Sequence, residues 1–199
     1  MLKVWLIRHG QTEGNKVSRY IGRTDEPLCR EGREALKKLA YPEPEAVYVS
    51  PLVRCTETAQ ILFPGKRLNI VEELSECDFG DFENKNYLEL SGNPDYQEWV
   101  DSGGTLPFPG GESREGFKKR SLMGFQKAVS GCIRKNIFRA ALVVHGGTIM
   151  NIMEEYADTK RTFYEWHVKN GEGFEVKIDE YLWQKGKFGF QVIGTLPEK

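Results

Sequence analysis

Apolar residues fall into short continuous runs separated by stretches of helical spacing along most of this 199-residue chain. The first run, Val4-Trp5-Leu6-Ile7, does not alternate with polar residues, which marks a strand buried on both faces. Residues 46–50, 67–71 and 140–144 repeat the pattern and predict three more strands. Helices are predicted over 30–40, 51–63, 112–134 and 148–156, with a short helix or turn after Gly14. Within 112–134, Phe117, Ser121, Phe125, Ala128, Val129, Cys132 and Ile133 form a core stripe. Pro42 and Pro44 stop the helix before them, and Ser50-Pro51 reads as an N-cap followed by proline at the first helical position. Residues 173–178 and 188–193 read as antiparallel strands joined by a polar turn near Lys185-Gly186-Lys187. Alternating strands and helices predict an α/β fold with a mostly parallel sheet and an antiparallel edge.

Residues 81–111 break this rhythm. They hold short helical pieces at 86–91 and 95–101, several Gly and Pro, and the aromatic residues Tyr87, Tyr96, Trp99 and Phe108. A long, glycine-punctuated insertion of this kind reads as a lid or specificity loop. Tyr87, Trp99 and Phe108 could pack within it or face a substrate. No repeat, linker or low-complexity stretch divides the chain, so a single domain over 1–199 is expected.

The 28 Lys plus Arg nearly balance the 29 Asp plus Glu, so there is no global pull toward nucleic acid or a membrane. Cys29, Cys55, Cys77 and Cys132 are widely spaced and fit free thiols in a reducing, cytoplasmic setting. The first strand starts almost at residue 1, so no signal peptide is expected, and no apolar run is long enough to span a bilayer. Metal-ligand spacings, a phosphate-binding GxxxxGK[ST] loop and a GxSxG elbow are absent from the sequence, so neither a metal nor a cofactor is expected.

The chemistry lies where the runs end. The first stops at Arg8-His9-Gly10, and the run before residue 145 stops at His145-Gly146-Gly147. On its own, the first stretch could be a satisfied strand-end histidine beside a surface arginine. But the chain has three histidines, and two of them end core strands in the same way. Parallel strands would bring both rings to one sheet edge, where open α/β folds build their sites. Arg54 is expected in the first turn of a helix, where a cation is disfavoured unless an anion sits beside it. Two imidazoles and two guanidiniums around one point suit phosphoryl transfer. Arg forks match tetrahedral oxyanions, and neighbouring cations keep a ring nitrogen unprotonated and nucleophilic. A carboxylic acid from residues 72–78 would protonate the leaving alkoxide. The implied partner is a small-molecule phosphate ester, not nucleic acid or a membrane.

These motifs resemble the histidine phosphatase (phosphoglycerate mutase-like) superfamily, in its branch of small phosphatases. Leu6-Ile7-Arg8-His9-Gly10-Gln11-Thr12, with Asn15 following, is similar to the family signature. Ser50-Pro51-Leu52-Val53-Arg54 is similar to its second motif, Leu74-Ser75-Glu76-Cys77-Asp78-Phe79-Gly80 to its acid motif, and Val144-His145-Gly146-Gly147 to its last. The resemblance implies a three-layer αβα sandwich, a phosphohistidine on His9 and Glu76 as proton donor. Arg8, Asn15, Arg54, His145 and Gly146 would contact the phosphate. Pro109-Gly110-Gly111-Glu112-Ser113 resembles a stretch of the cobalamin-pathway phosphatases, which act on α-ribazole phosphate, and the 19–25 loop is compatible with that branch.

Two departures stand out. Cys29 occupies a helix-capping position where relatives often have Thr or Ser, and Glu83-Asn84 replaces the branch's common Glu-Gly. A 2,3-bisphosphoglycerate-dependent mutase is the alternative enzyme, against which the short spacing from Glu76 to His145 argues. A non-catalytic module docking phosphorylated ligands is the alternative of another class. Lys16, Arg19 and Arg23 read as a charged face, and His167 reads as structural.

Overall fold

The computed structural model describes residues 1–197, so 198 and 199 of the expected domain lie outside the described residues. In chain order the elements are β1 (Leu2–Arg8), α1 (Glu13–Lys16), α2 (Arg30–Leu36), β2 (Ala46–Val49), α3 (Val53–Leu62) and β3 (Leu68–Ile70), then α4 (Pro94–Asp101), α5 (Arg114–Arg134), β4 (Arg139–Val144), α6 (Gly146–Tyr156), β5 (Gly173–Ile178), α7 (Glu180–Gln184) and β6 (Gln191–Leu196). Among the described residues the strands form one sheet in the order β3-β2-β4-β1-β5-β6. β1 to β4 run parallel, while β5 and β6 form the antiparallel edge.

Strand side chains alternate between two cores. Leu2, Val4 and Leu6 of β1, with Leu142 and Val144 of β4, meet Phe125, Val129 and Ile152 of α5 and α6. On the other face Trp5, Ile7, Val47 and Val143 meet Cys55 and Ala59 of α3. This double covering is why the first apolar run is continuous, and each fully buried aliphatic chain contributes about 1.5–3 kcal/mol. The result is the expected three-layer αβα sandwich.

Several local readings change. α3 starts at Val53, not Pro51, and Ser50 does not cap it. Instead, the Val53 amide donates to Asp25 Oδ1 at 2.7 Å, because the Ser50 hydroxyl is engaged elsewhere. α2 stops at Leu36, residues 86–91 form turns rather than helix, and α6 begins at Gly146 with His145 at its N-cap position. The expected polar turn after β5 contains α7, whose Asp179 side chain accepts from the Leu182 amide and whose Trp183 is buried. β6 therefore begins at Gln191 rather than 188. Phe188 and Phe190 pack on Tyr156 instead.

Both departures are accommodated. Cys29 Sγ accepts from the Gly32 amide at 3.2 Å and caps α2. Asn84 adopts a φ of 58°, in the left-handed region that favours glycine and tolerates asparagine. The neighbouring Glu83 carboxylate accepts from the Gly22 and Thr24 amides at 2.7 and 2.8 Å.

Candidate active site

The register of the two central strands builds the site. Arg8 pairs with Val144, so the next residues, His9 and His145, leave the sheet side by side. The His9 amide donates to Val144 O at 2.9 Å, and the two ring centroids are 5.2 Å apart. Both residues are buried. His9 Nδ1 lies 2.7 Å from Gly10 O, and a carbonyl can only accept, so Nδ1 carries the hydrogen and Nε2 the lone pair. The packing explains the glycine at position 10. A Cβ there would stand 2.6 Å from Leu36 Cδ1, so glycine lets α2 close over the strand end.

Arg54 is completely buried. Its guanidinium donates to the carbonyls of Ile21, Gly22 and Thr24 at 3.2, 2.8 and 2.8 Å, which offset the unfavourable position of a cation at a helix start. Its Nε donates to His145 Nδ1 at 3.3 Å. Arginine cannot accept, so the neutral ring carries its hydrogen on Nε2, which faces Ser50 Oγ at 2.7 Å. Cys55 Sγ lies 3.5 Å from the same nitrogen, and burial pushes its thiol up to about 12, so it stays protonated.

Arg8 Nη1 donates to Val168 O at 2.7 Å and contacts His167 Nε2 at 3.2 Å. Its Nε is buried without a hydrogen-bond partner among the described residues, a donor that an anion would satisfy. Asn15 Oδ1 accepts from the Thr12 amide and from Asn170 Nδ2, which leaves its own Nδ2 as the available donor. Gly146 lies against the Arg8 guanidinium, where an added Cβ would sit 3.4 Å from Cζ. Glu76 Oε2 accepts from the Gly147 amide at 3.2 Å and Oε1 from the Cys77 amide at 3.0 Å. A Cβ at Gly147 would come within 2.6 Å of Glu76 Oε1, so the glycine admits the carboxyl group to the start of α6.

The electrostatics follow from this crowding. Burial, then Arg54 and Arg8, hold His9 well below the usual imidazole value. Burial and Arg54 do the same to His145, with His9 and Arg8 adding to the effect. Burial raises the Glu76 pKa against the opposing pull of the Cys77 and Gly147 amides and the arginines. The arrangement thus biases two imidazoles toward their uncharged form and one carboxyl group toward its protonated form, beside two fixed cations.

His9, Arg8, Arg54, His145, Asn15, Gly146 and Glu76 are therefore linked around one strand end. Lys16, Arg19 and Arg23 pair with Glu31, Glu89 and Asp78, while Arg19 shares a cavity with Arg8 and Asn15, and Arg23 shares one with Glu76. Tyr87 is exposed, whereas Trp99 and Phe108 stack with ring centroids 5.1 Å apart. Sequence reasoning missed three residues. Ser50 was hidden by its resemblance to a helix cap. His167 touches Arg8, and its only signal was its scarcity as a third histidine. Asn170, which donates to His9 O and to Asn15, lies between elements where no periodicity marks it.

The chain matches the family model of the histidine phosphatase superfamily (branch 1) over residues 4–190. It belongs to this superfamily. Among histidine phosphatase relatives, it is 31% identical over 157 residues to phosphoserine phosphatase 1 of Hydrogenobacter thermophilus, covering 75% of this chain and 72% of that one. It is 27% identical to the adenosylcobalamin/alpha-ribazole phosphatase of Salmonella typhimurium, covering 89% of this chain and 90% of the relative. The crystal structure of phosphoglycerate mutase from Thermus thermophilus superposes with a TM-score of 0.72 at 26% identity, covering 100% of both chains.

Proposed function

We propose that this histidine phosphatase hydrolyses small phosphate monoesters by double displacement through His9. The observation that carries this reading is the His9 Nδ1 contact with Gly10 O, which holds the lone pair of Nε2 ready for attack. Arg8, Arg54, the Asn15 amide group and the Gly146 N–H neutralise the phosphoryl oxygens as the P–O bond to the leaving group lengthens. Glu76 gives its proton to the departing alkoxide. In the second half, water attacks the phosphohistidine, Glu76 takes a proton from that water, and the N–P bond breaks to release phosphate and restore neutral His9. A bound phosphate dianion draws the Arg54 Nε donor away from His145 Nδ1 and offsets the two arginine charges, so Nδ1 takes up a solvent proton and donates to the phosphoryl group.

α-Ribazole 5'-phosphate is the leading substrate within this reading, supported by the relative that aligns along nearly nine-tenths of the chain and by the Pro109–Ser113 stretch. Residues 81–111 act as the specificity lid over the site. In keeping with a protein that works on soluble metabolites, all four cysteines are buried free thiols, and among the described residues no helix is long and apolar enough to cross a membrane. The test is p-nitrophenyl phosphate hydrolysis by wild type and His9→Ala. Turnover lost in the variant supports the proposal, while no wild-type turnover would favour a docking module.

A further inference from the structure

A cavity of about 230 Å³ opens beside Glu76, walled by Tyr20, Phe79, Trp99, Phe108, Phe117 and Met150. Its aromatic walls are held before any ligand arrives. Phe79 packs edge-on against Phe108 at 5.0 Å, Trp99 stacks on Phe108, and Tyr20 meets Trp99 at 6.2 Å. The cation lining it, Arg114, has its guanidinium 5.3 Å from the centre of the Phe163 ring and 3.9 Å from Glu154, a carboxylate that Lys118 also engages at 3.2 Å. Glu76, Cys77 and Gly147 also line the cavity, and the Gly147 amide donates to Glu76 Oε2.

We propose that this cavity receives the alcohol half of the ester and selects a leaving group carrying a flat apolar ring. The inference rests on Glu76 being the proton donor. A general acid must lie within hydrogen-bond reach of the leaving oxygen, so the carbon skeleton of the alcohol lies against Glu76; of two cavities that Glu76 lines, this one is aromatic, whereas the other is rimmed by Asp25, Asp78 and Glu112. Aromatic walls reward an apolar ring by burial and edge or face contacts. They penalise an ammonium group, which would lose its water and meet the like charge of Arg114 instead of a counter-charge. The lid therefore acts on substrate choice through Trp99 and Phe108.

The test compares benzyl phosphate with ethyl phosphate and O-phosphoserine, all of which release alkoxides, so leaving-group activation does not bias the result. Benzyl phosphate is expected to exceed both in kcat/KM by about tenfold or more, the discrimination typical of an apolar pocket. Binding of benzylphosphonate against methylphosphonate, which cannot turn over, is expected to show a preference in the same direction. Filling the cavity with Met150→Phe and opening it with Phe108→Ala should each pull both ratios toward one. Ratios within about twofold of one in the wild type, a preference for phosphoserine, or ratios unmoved by both variants would overturn the inference. Loss of turnover on every ester would strike the catalytic reading instead, and the phosphonate ratio would still report on the cavity.

Discussion

Ser50 and His145 lie 95 residues apart in the chain, and the serine hydroxyl sits 2.7 Å from Nε2 of the imidazole. With Arg54 Nε on the other ring nitrogen, the hydroxyl holds His145 in one tautomer and one orientation. Ser50→Ala should leave a buried N–H unsatisfied and cost about 1–3 kcal/mol in unfolding free energy. It should also lower kcat and shift the acidic limb of the pH–rate profile. Urea titration and a pH series on the variant check this, and an unchanged profile would make Ser50 merely structural.

Asp25 supplies the cap that Ser50 does not. Its carboxylate accepts from the first amide of α3, the helix that carries Arg54. Asp25→Ala should cost about 0.5–2 kcal/mol, read as a lower urea midpoint with an unchanged m-value.

His9 and His145 should make the protein sensitive to mild acid. Burial and the arginines depress both pKa values below the ordinary 6.5. Below about pH 6.5 the unfolded chain binds protons that the folded site refuses, so stability falls as pH drops, by up to about 1.4 kcal/mol per pH unit for each ring. Glu76 works in the opposite sense. Its raised pKa means the folded site keeps a proton that the unfolded chain loses, so its contribution fades as pH climbs above the ordinary carboxyl range. In phosphate-free buffer the double variant His9→Asn/His145→Asn should have a shallower slope of unfolding free energy between about pH 7 and 5 than the wild type. Parallel slopes would contradict the assignment.

Glu76 can be separated from the rest of the site by choice of leaving group. Glu76→Gln should slow hydrolysis of an alkyl ester by about 10²–10⁴-fold, because the alkoxide then leaves without a proton. p-Nitrophenolate needs none, so p-nitrophenyl phosphate should lose far less. Equal losses on both substrates would mean that Glu76 acts by another route.

Much of this site was legible before any coordinates. The placing of His9 and His145 at one sheet edge follows from two buried strand runs that each end in His-Gly, because a parallel sheet leaves few other arrangements open. Arg54 was legible as a misplaced charge. The elements that resisted depend on long-range partners: Asp25 replacing Ser50 as a cap, α7 forming around buried Trp183, and Asn170 bridging His9 and Asn15. The aromatic residues of 81–111 announced an insertion. Only packing revealed which of them wall the cavity and which, like Tyr87, face solvent.

The most direct measurement is rapid quenching of the enzyme during turnover of ³²P-labelled substrate, followed by peptide mapping. A label on the peptide bearing His9, labile to acid, stable to base and absent from His9→Ala, is the predicted result. Full turnover with no label on that peptide, or label on another residue, would contradict transfer through His9.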